Sequence, residues 1–367
     1  MDDKIIKKRI SAVRARLKKE RIDCLIVTKP ANVTYTTGFS GDDSWAVITN
    51  RAVYLLTDSR YTEQAEDECR GCKIIERKGP KSQAAAKVVK QFNPKTAAVE
   101  NSTTLAAFEA LKKNIKRGLK TAANIIESVR RCKDEGEIAA ITEAGKIAAK
   151  ALASAMKDIK AGITENELAG EIDFEIRKLG AANSFDTIVA FGPNASRPHH
   201  RPGNSRLKKN DTILIDFGVR YNGYCCDLTR CFAVGRPNSF YKKVYEVVRR
   251  AQAAAIKMVK AGVEIKKVDA AARDVIKKHN LPMYGHGTGH GLGLEVHEEP
   301  GLSENSKGKL QAGEVITVEP GVYIPGRLGI RIEDDILVTT TGCKILTRDC
   351  PNQFTPGLIN ALSHNSA

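Results

Sequence analysis

Three histidines and five glycines share the sixteen residues GHGTGHGLGLEVHEEP at positions 285–300. His286 and His290 stand four apart, as in a helical zinc site. Yet Gly285, Gly287, Gly289, Gly291 and Gly293 fill every second position, and each glycine disfavours helix by roughly 0.8–1 kcal/mol relative to alanine. The segment is therefore not a helix, and any further ligands must come from elsewhere in the chain. Four carboxylates have suitable surroundings. Asp216 lies in the apolar run ILIDFGV, where an ionised side chain is costly unless paired or bound to metal. A two-residue turn at Asn222-Gly223 places Asp216 opposite Thr229, with Asp227 two residues away on the same face of the ribbon. Such diagonal neighbours sit about 7–8 Å apart at Cα, close enough for both carboxylates to hold a common metal centre. A second loop centred on Gly326 places Glu319 opposite Glu333. Four uncompensated carboxylates in one core would repel and raise one another's pKa values. Two divalent cations would neutralise them and leave His290 to complete the shell. Hard oxygen donors with one imidazole suit Mn²⁺, Co²⁺ or Zn²⁺. Cys225 and Cys226 flank Asp227 but read as buried neutral thiols beside so oxygen-rich a site.

The elements that must carry these residues repeat. AGITENELAGEIDFEIRKLG from Ala161 parallels AGVEIKKVDAAARDVIKKHN from Ala261, each a loop glycine followed by an amphipathic helix. Thr164 and Glu167 form a capping box in the first copy. NDTILID, ending at Asp216, parallels GEVITVE, ending at Glu319, and each runs through a glycine-containing turn into a second acid-bearing strand. Two such halves predict an α+β domain with internal pseudo-two-fold symmetry. Upstream, DCLIVT, SWAVIT, AVYLLT and KTAAVE read as strands, and 9–20, 62–68, 81–91 and 104–117 as helices, which predicts an α/β domain of its own. The boundary falls near SVRRCKDEGEIAAI, where a charged segment leads into an alanine-rich helix.

The 367 residues, 42% apolar and 28% charged, have room for two domains whose cores need no disulfides. No run of some 18 apolar residues predicts a membrane span. The basic amphipathic N-terminus lacks the features of a signal peptide, which predicts a cytoplasmic protein. Nine scattered cysteines form no disulfide framework. The lone CRGC lacks the second pair a zinc site of that type needs, so Cys69 and Cys72 read as free thiols. The net charge of +16 is spread among acids, as in KKERID and RRCKDEGE, and reads as a solvated surface and not a nucleic-acid footprint.

The ordered set LIDFG, DLTR, HGTGHGLGLEVHE, TVEPGVYI and GIRIEDD resembles the pita-bread metallopeptidases, the group of Xaa-Pro aminopeptidase, prolidase, methionine aminopeptidase and creatinase. The resemblance implies a creatinase-like N-terminal α/β domain over 1–130 and a pita-bread dimetal peptidase domain over 135–355. It implies Asp216, Asp227, His290, Glu319 and Glu333 as ligands of two metals, Mn²⁺ first, with Asp227 and Glu333 bridging. Glu319 would also carry a proton to and from the attacking water, and Asp216 would help receive the substrate's amine. His199, His286 and His297 would face the substrate, the last two stabilising the oxyanion or positioning the carbonyl. Arg331 and Tyr323 stand at substrate-binding positions, and a homodimer is implied. Around His199 the chain reads RPHHRPGNSRLKKND, where relatives have a histidine followed by a small residue. His199 is preferred as the substrate-facing group, with His200 the alternative. His279 and His364 read as surface residues.

Within the group, NVTYTTGFSGDDSWAVITNRAVYLLTDSRY resembles aminopeptidase P in its TGFSG-like loop and its TDxRY strand end. The main expectation is therefore an aminopeptidase releasing the first residue from peptides with proline in second place. Xaa-Pro dipeptidase is the alternative, and a non-catalytic binding protein of the same fold is the remoter one.

Overall fold

The computed structural model describes residues 3–115, 118–157, 159–235 and 237–350. They divide between Arg130 and Arg131 into two compact units. His364, read as a surface residue, lies outside the described residues.

The first unit is built on a six-stranded sheet. Its order runs Lys73–Glu76, Val53–Thr57, Trp45–Thr49, Cys24–Val27, Ala97–Glu100 and Leu119–Ala122. The central strands CLIV, WAVIT and AAVE are buried at every residue, which is why they read as unbroken apolar runs and not as alternating ones. The helix Asp3–Lys19 buries Ile6, Ile10, Val13 and Leu17, one face at spacings of four and three. Helix Pro30–Thr37 has no apolar periodicity and was not legible from its β-branched sequence. It is fixed by proline at its first position, by the left-handed Gly38 at its end, and by Thr36 and Thr37 hydroxyls donating to the Asn32 and Val33 carbonyls. The TGFSG stretch thus begins inside a helix.

The second unit opens with the helix Glu135–Ala155, started by a capping box in which Asp134 and Glu137 satisfy each other's backbone N–H groups. Two α-hairpins of matching design follow. Glu135–Ala155 packs on Glu165–Lys178, and Ser239–Met258 packs on Ile265–Lys278. Left-handed Gly162 and Gly262 precede the second helix of each pair, and their N–H groups donate to Leu207 O and Leu310 O, both at 2.8 Å. Ile188–Phe191 pairs with Thr212–Phe217 in one half, and Gly289–Gly291 pairs with Val315–Val318 in the other. Phe191 lies opposite Ile213 just as Gly291 lies opposite Ile316. His290 therefore occupies the place that Ala190 holds in the first half.

Candidate metal centre and substrate pocket

Each acid-bearing strand pair has the register its turn dictates. Asn222 and Gly223 have φ of 48° and 84°, both left-handed as a type I′ turn requires. Asp216 lies opposite Thr229, and Arg220 opposite Cys225. In the second hairpin Gly326 has φ of 68°, Gly321 faces Arg331, and Val318 faces Asp334. The sequence did not reveal that the ladder opens at the acids. The Asp227 N–H turns to Asp335 Oδ2 at 3.1 Å, the Glu319 N–H to Thr288 O at 2.8 Å, and the Glu333 N–H to Thr229 O at 3.2 Å. Release from the hairpin lets carboxylates from both halves converge.

Donor atoms of Asp227, His290 and Glu333 all lie within 4.8 Å of one another. Glu319 Oε1 adds a fourth group, 3.5 Å from His290 Nε2, while Asp227 Oδ2 is 3.7 Å from the same nitrogen. His290 Nδ1 is 3.0 Å from the Gly291 carbonyl, which can only accept, so the ring proton is there. Its Nε2 lone pair consequently faces two carboxylates with no proton between them. Burial pushes the His290 pKa down to about 4, so the ring is neutral at pH 7. Burial and neighbouring carboxylates hold Asp227 and Glu333 well above the usual range, and burial chiefly raises Glu319 to about 7. Buried Asp216 Oδ1 and Asp227 Oδ1 have no hydrogen-bond partner. A crowd of acids, orphaned oxygens and an inward lone pair fits divalent cations and little else.

Asp216 stands apart from the tightest cluster, one of its oxygens accepting from Arg331 Nη2. Thr229, on the facing strand, donates to Glu333 Oε2 at 2.6 Å and accepts from Arg331 Nε at 3.0 Å. Thr317 likewise donates to Glu319 Oε1 at 3.3 Å while accepting the His290 N–H at 3.0 Å. Neither threonine was singled out from sequence, although the Asn222-Gly223 register already set Thr229 beside the acids.

The four acids Asp216, Asp227, Glu319 and Glu333 line one cavity of about 340 Å³ together with His290, His199, His286, His297 and Arg331. Its remaining wall is apolar, with Phe185, Ile188 and Val296. His297 stacks obliquely 4.4 Å from the His290 ring. Among the described residues the His199 and His297 imidazoles hold no hydrogen bond. His286 differs. Its Nδ1 donates to Gly287 O at 2.7 Å, and its Nε2 accepts from the Tyr323 hydroxyl at 3.0 Å, so no N–H remains for an oxyanion. Tyr323, read as substrate-binding, does not line the cavity: its hydroxyl is held between His286 and Arg331 Nη1, the latter at 2.7 Å. His279 caps a helix on the surface.

Two of the alternating glycines, Gly289 and Gly291, have a different reason from the one their place beside the site suggests. A Cβ on Gly289 would lie 2.0 Å from Thr317 O, and one on Gly291 would lie 2.3 Å from Glu299 O. They are bare because neighbouring backbone occupies the space, not because a ligand does. Beneath the segment, Arg273 donates to Tyr284 O at 3.0 Å and His286 O at 2.7 Å, and Asp269 binds both Arg273 and the Thr288 hydroxyl.

Residues 139–340 match the family described as metallopeptidase family M24, and residues 9–132 match the creatinase/prolidase N-terminal domain. A relative named Xaa-Pro dipeptidase, from Pyrococcus horikoshii, is 35% identical over 94% of this chain and 98% of its own length. The solved structure of an Xaa-Pro dipeptidase from Bacillus anthracis superposes with a TM-score of 0.92 at 35% identity, covering 95% of this chain and 99% of that one. That of an X-Pro aminopeptidase from Thermotoga maritima gives 0.84 at 36%, covering 92% and 99%.

Proposed function

The chain belongs to metallopeptidase family M24, and from that premise we propose that it hydrolyses the bond between a first residue and proline, with Xaa-Pro dipeptides as its preferred substrates. The observation that carries the reading is the cluster of Asp227, His290 and Glu333, with Glu319 beside it, at the floor of one cavity. Dipeptides are favoured over the longer peptides expected from sequence on two grounds. Full-length relatives bear the dipeptidase name, and a cavity of about 340 Å³ lies at the small end of the 300–1,000 Å³ usual for ligand pockets.

Asp216, Asp227, His290, Glu319 and Glu333 would hold two divalent ions, Mn²⁺ first and Co²⁺ or Zn²⁺ as substitutes. When bound, the metals supply Lewis acidity and a water whose pKa is lowered toward neutrality. Glu319 would take a proton from the attacking water and return it to the leaving proline nitrogen. His199 and His297 offer N–H groups to the carbonyl oxygen as it gains charge. Asp216, fixed by Arg331, is placed to receive the substrate's free amine. His286, Tyr323 and Arg331 form one hydrogen-bonded chain that braces this wall. The same proposal includes domain limits of 1–130 and 135–355, a homodimer and a cytoplasmic location. Light scattering tests the dimer.

One observation favours the aminopeptidase reading. Arg331 is the arginine lining the cavity, and its N–H groups go to Asp216, Tyr323, Thr229 and the Pro198 carbonyl. It offers no open fork to the carboxylate of a dipeptide. The deciding measurement is kcat/KM of the Mn²⁺-loaded protein for an Xaa-Pro dipeptide against the same peptide extended by two residues. Preference for the dipeptide is expected. Faster turnover of the extended peptide overturns it in favour of the aminopeptidase, and a purified chain that binds none of Mn²⁺, Co²⁺ or Zn²⁺ favours the binding-protein reading.

A further inference from the structure

Residues 191–203 run out to the cavity and back, and a single carboxylate ties both limbs together. Glu165, the first residue of the helix Glu165–Lys178, is completely buried. Its Oε1 accepts from Phe191 N and Asn194 Nδ2, both at 2.8 Å, on the outgoing limb. Its Oε2 accepts from Gly203 N at 3.1 Å on the returning limb, and from His200 Nε2 at 2.9 Å. Four donors fill the lone-pair sites of one ionised carboxylate. Burial opposes the charge, but the His200, Phe191 and Asn194 donors outweigh it and hold the carboxyl below the usual range.

Because Glu165 can only accept, His200 must donate from Nε2, and its ring is committed to the interior. Pro198 and His199 line the cavity and His200 does not. The His199 imidazole, holding no hydrogen bond of its own among the described residues, takes its direction from the backbone around it. That backbone is fixed on one side by Arg331 Nη2 on Pro198 O at 3.4 Å, and on the other by His200. The sequence presents two adjacent histidines, and the interior bond removes one of them from the choice.

We propose that Glu165 and His200 form a clamp that positions His199 against the substrate. Both are positioning residues, acting through the loop, and the inference rests on reading His199 as a substrate-facing group of the peptidase site. The clamp has a counterpart of opposite charge in the other half, where Arg273 grips the carbonyls around His286.

Gln carries a donor at the reach of a histidine Nε2, so His200→Gln preserves the bond without the imidazole, whereas His200→Ala removes it. Glu165→Gln replaces one accepting oxygen with a donor that faces other donors. The experiment measures kcat and KM of the Mn²⁺-loaded variants on Ala-Pro, together with the ring ¹⁵N–¹H resonances of His199 and His200 in histidine-labelled protein loaded with diamagnetic Zn²⁺. His200→Gln should keep at least half of the wild-type kcat. His200→Ala and Glu165→Gln should each lose about tenfold in kcat with KM within twofold, and the His199 ring signals should shift in both. A His200→Gln protein as slow as His200→Ala, with His199 signals unmoved, would make the His200 imidazole a reacting group and overturn the clamp. Wild-type kinetics in His200→Ala would overturn it as well. If the wild type turned over no Xaa-Pro peptide, the proposed activity would fall, and the resonances would still decide the clamp: His199 signals unmoved by His200→Ala refute it, and shifted ones sustain it.

Discussion

The two halves of the second unit are the same scaffold put to different uses. At corresponding places one carries Ile188–Phe191, an apolar strand, and the other carries Gly289–Gly291 with His290 at its centre. The first half contributes two aspartates, and the second contributes the histidine and two glutamates. An imidazole facing the acids could enter a packed sheet only where its neighbours gave up their side chains, since Thr317 O and Glu299 O already occupy the Cβ space of Gly289 and Gly291. The two halves supply equivalent backbone, and different residues at equivalent positions make Ile188–Phe191 a packing strand and Gly289–Gly291 the carrier of an imidazole.

The comparison is tested most severely by removing one acid from each half. Glu319→Ala should lower kcat by at least a hundredfold, since general acid–base groups contribute about 10²–10⁴-fold. A variant retaining more than about a tenth of the activity contradicts its role as proton carrier. Asp227→Asn keeps the size and removes a charge from the first half. Mass-spectrometric metal analysis should find less than the full pair of ions in it, and activity should fall in step. Full occupancy would show that the bridge does not pass through Asp227.

Next come the strands themselves. Placing in the second half the residue that the first half carries, Gly289→Val, forces a side chain into Thr317 O and should destabilise by about 1–3 kcal/mol or more. Gly285→Ala should lie within about 0.5 kcal/mol of wild type, because nothing stands within 4 Å of its Cβ. Denaturant titration followed by circular dichroism separates the two. Equal stability of both variants would mean that strand Gly289–Gly291 yields, and that packing is not what excludes side chains there.

The smallest effect concerns the repeat helices. Thr164 caps Glu165–Lys178 by accepting from Glu167 N at 3.1 Å, whereas Glu264 makes no side-chain cap for Ile265–Lys278. Thr164→Ala should therefore cost about 1 kcal/mol, and Glu264→Thr should stabilise by a comparable or smaller amount. Thermal melting checks both. A loss on Glu264→Thr would show that the weak Lys266 and Lys267 pairs with Glu264, at 3.8 and 3.9 Å, matter more than the missing cap.

Local chemistry was legible in the chain by itself. Turn residues with left-handed preference fixed both hairpin registers, because a strand's side chains alternate with a period of two and a given turn permits one pairing. That placed Asp216 opposite Thr229 and made the acids of each ribbon neighbours. The self-similarity of 161–180 and 261–280 disclosed the repeat, and the capping box at Thr164 was readable as such. Tertiary structure alone decided what each side chain had left to offer. Arg331 and Asp216 are separated by 115 residues, Thr229 and Glu333 by 104, and Glu165 and His200 by 35. Hydrogen-bond saturation belongs to the atoms that converge and not to the residue type, so Tyr323 and His286 could be read as substrate groups although their partners had already taken their donors. The same reason settles the glycines and the two histidines: which of them meets open space, and which meets a carbonyl or a carboxylate, depends on chain segments that are remote in sequence and adjacent only after folding.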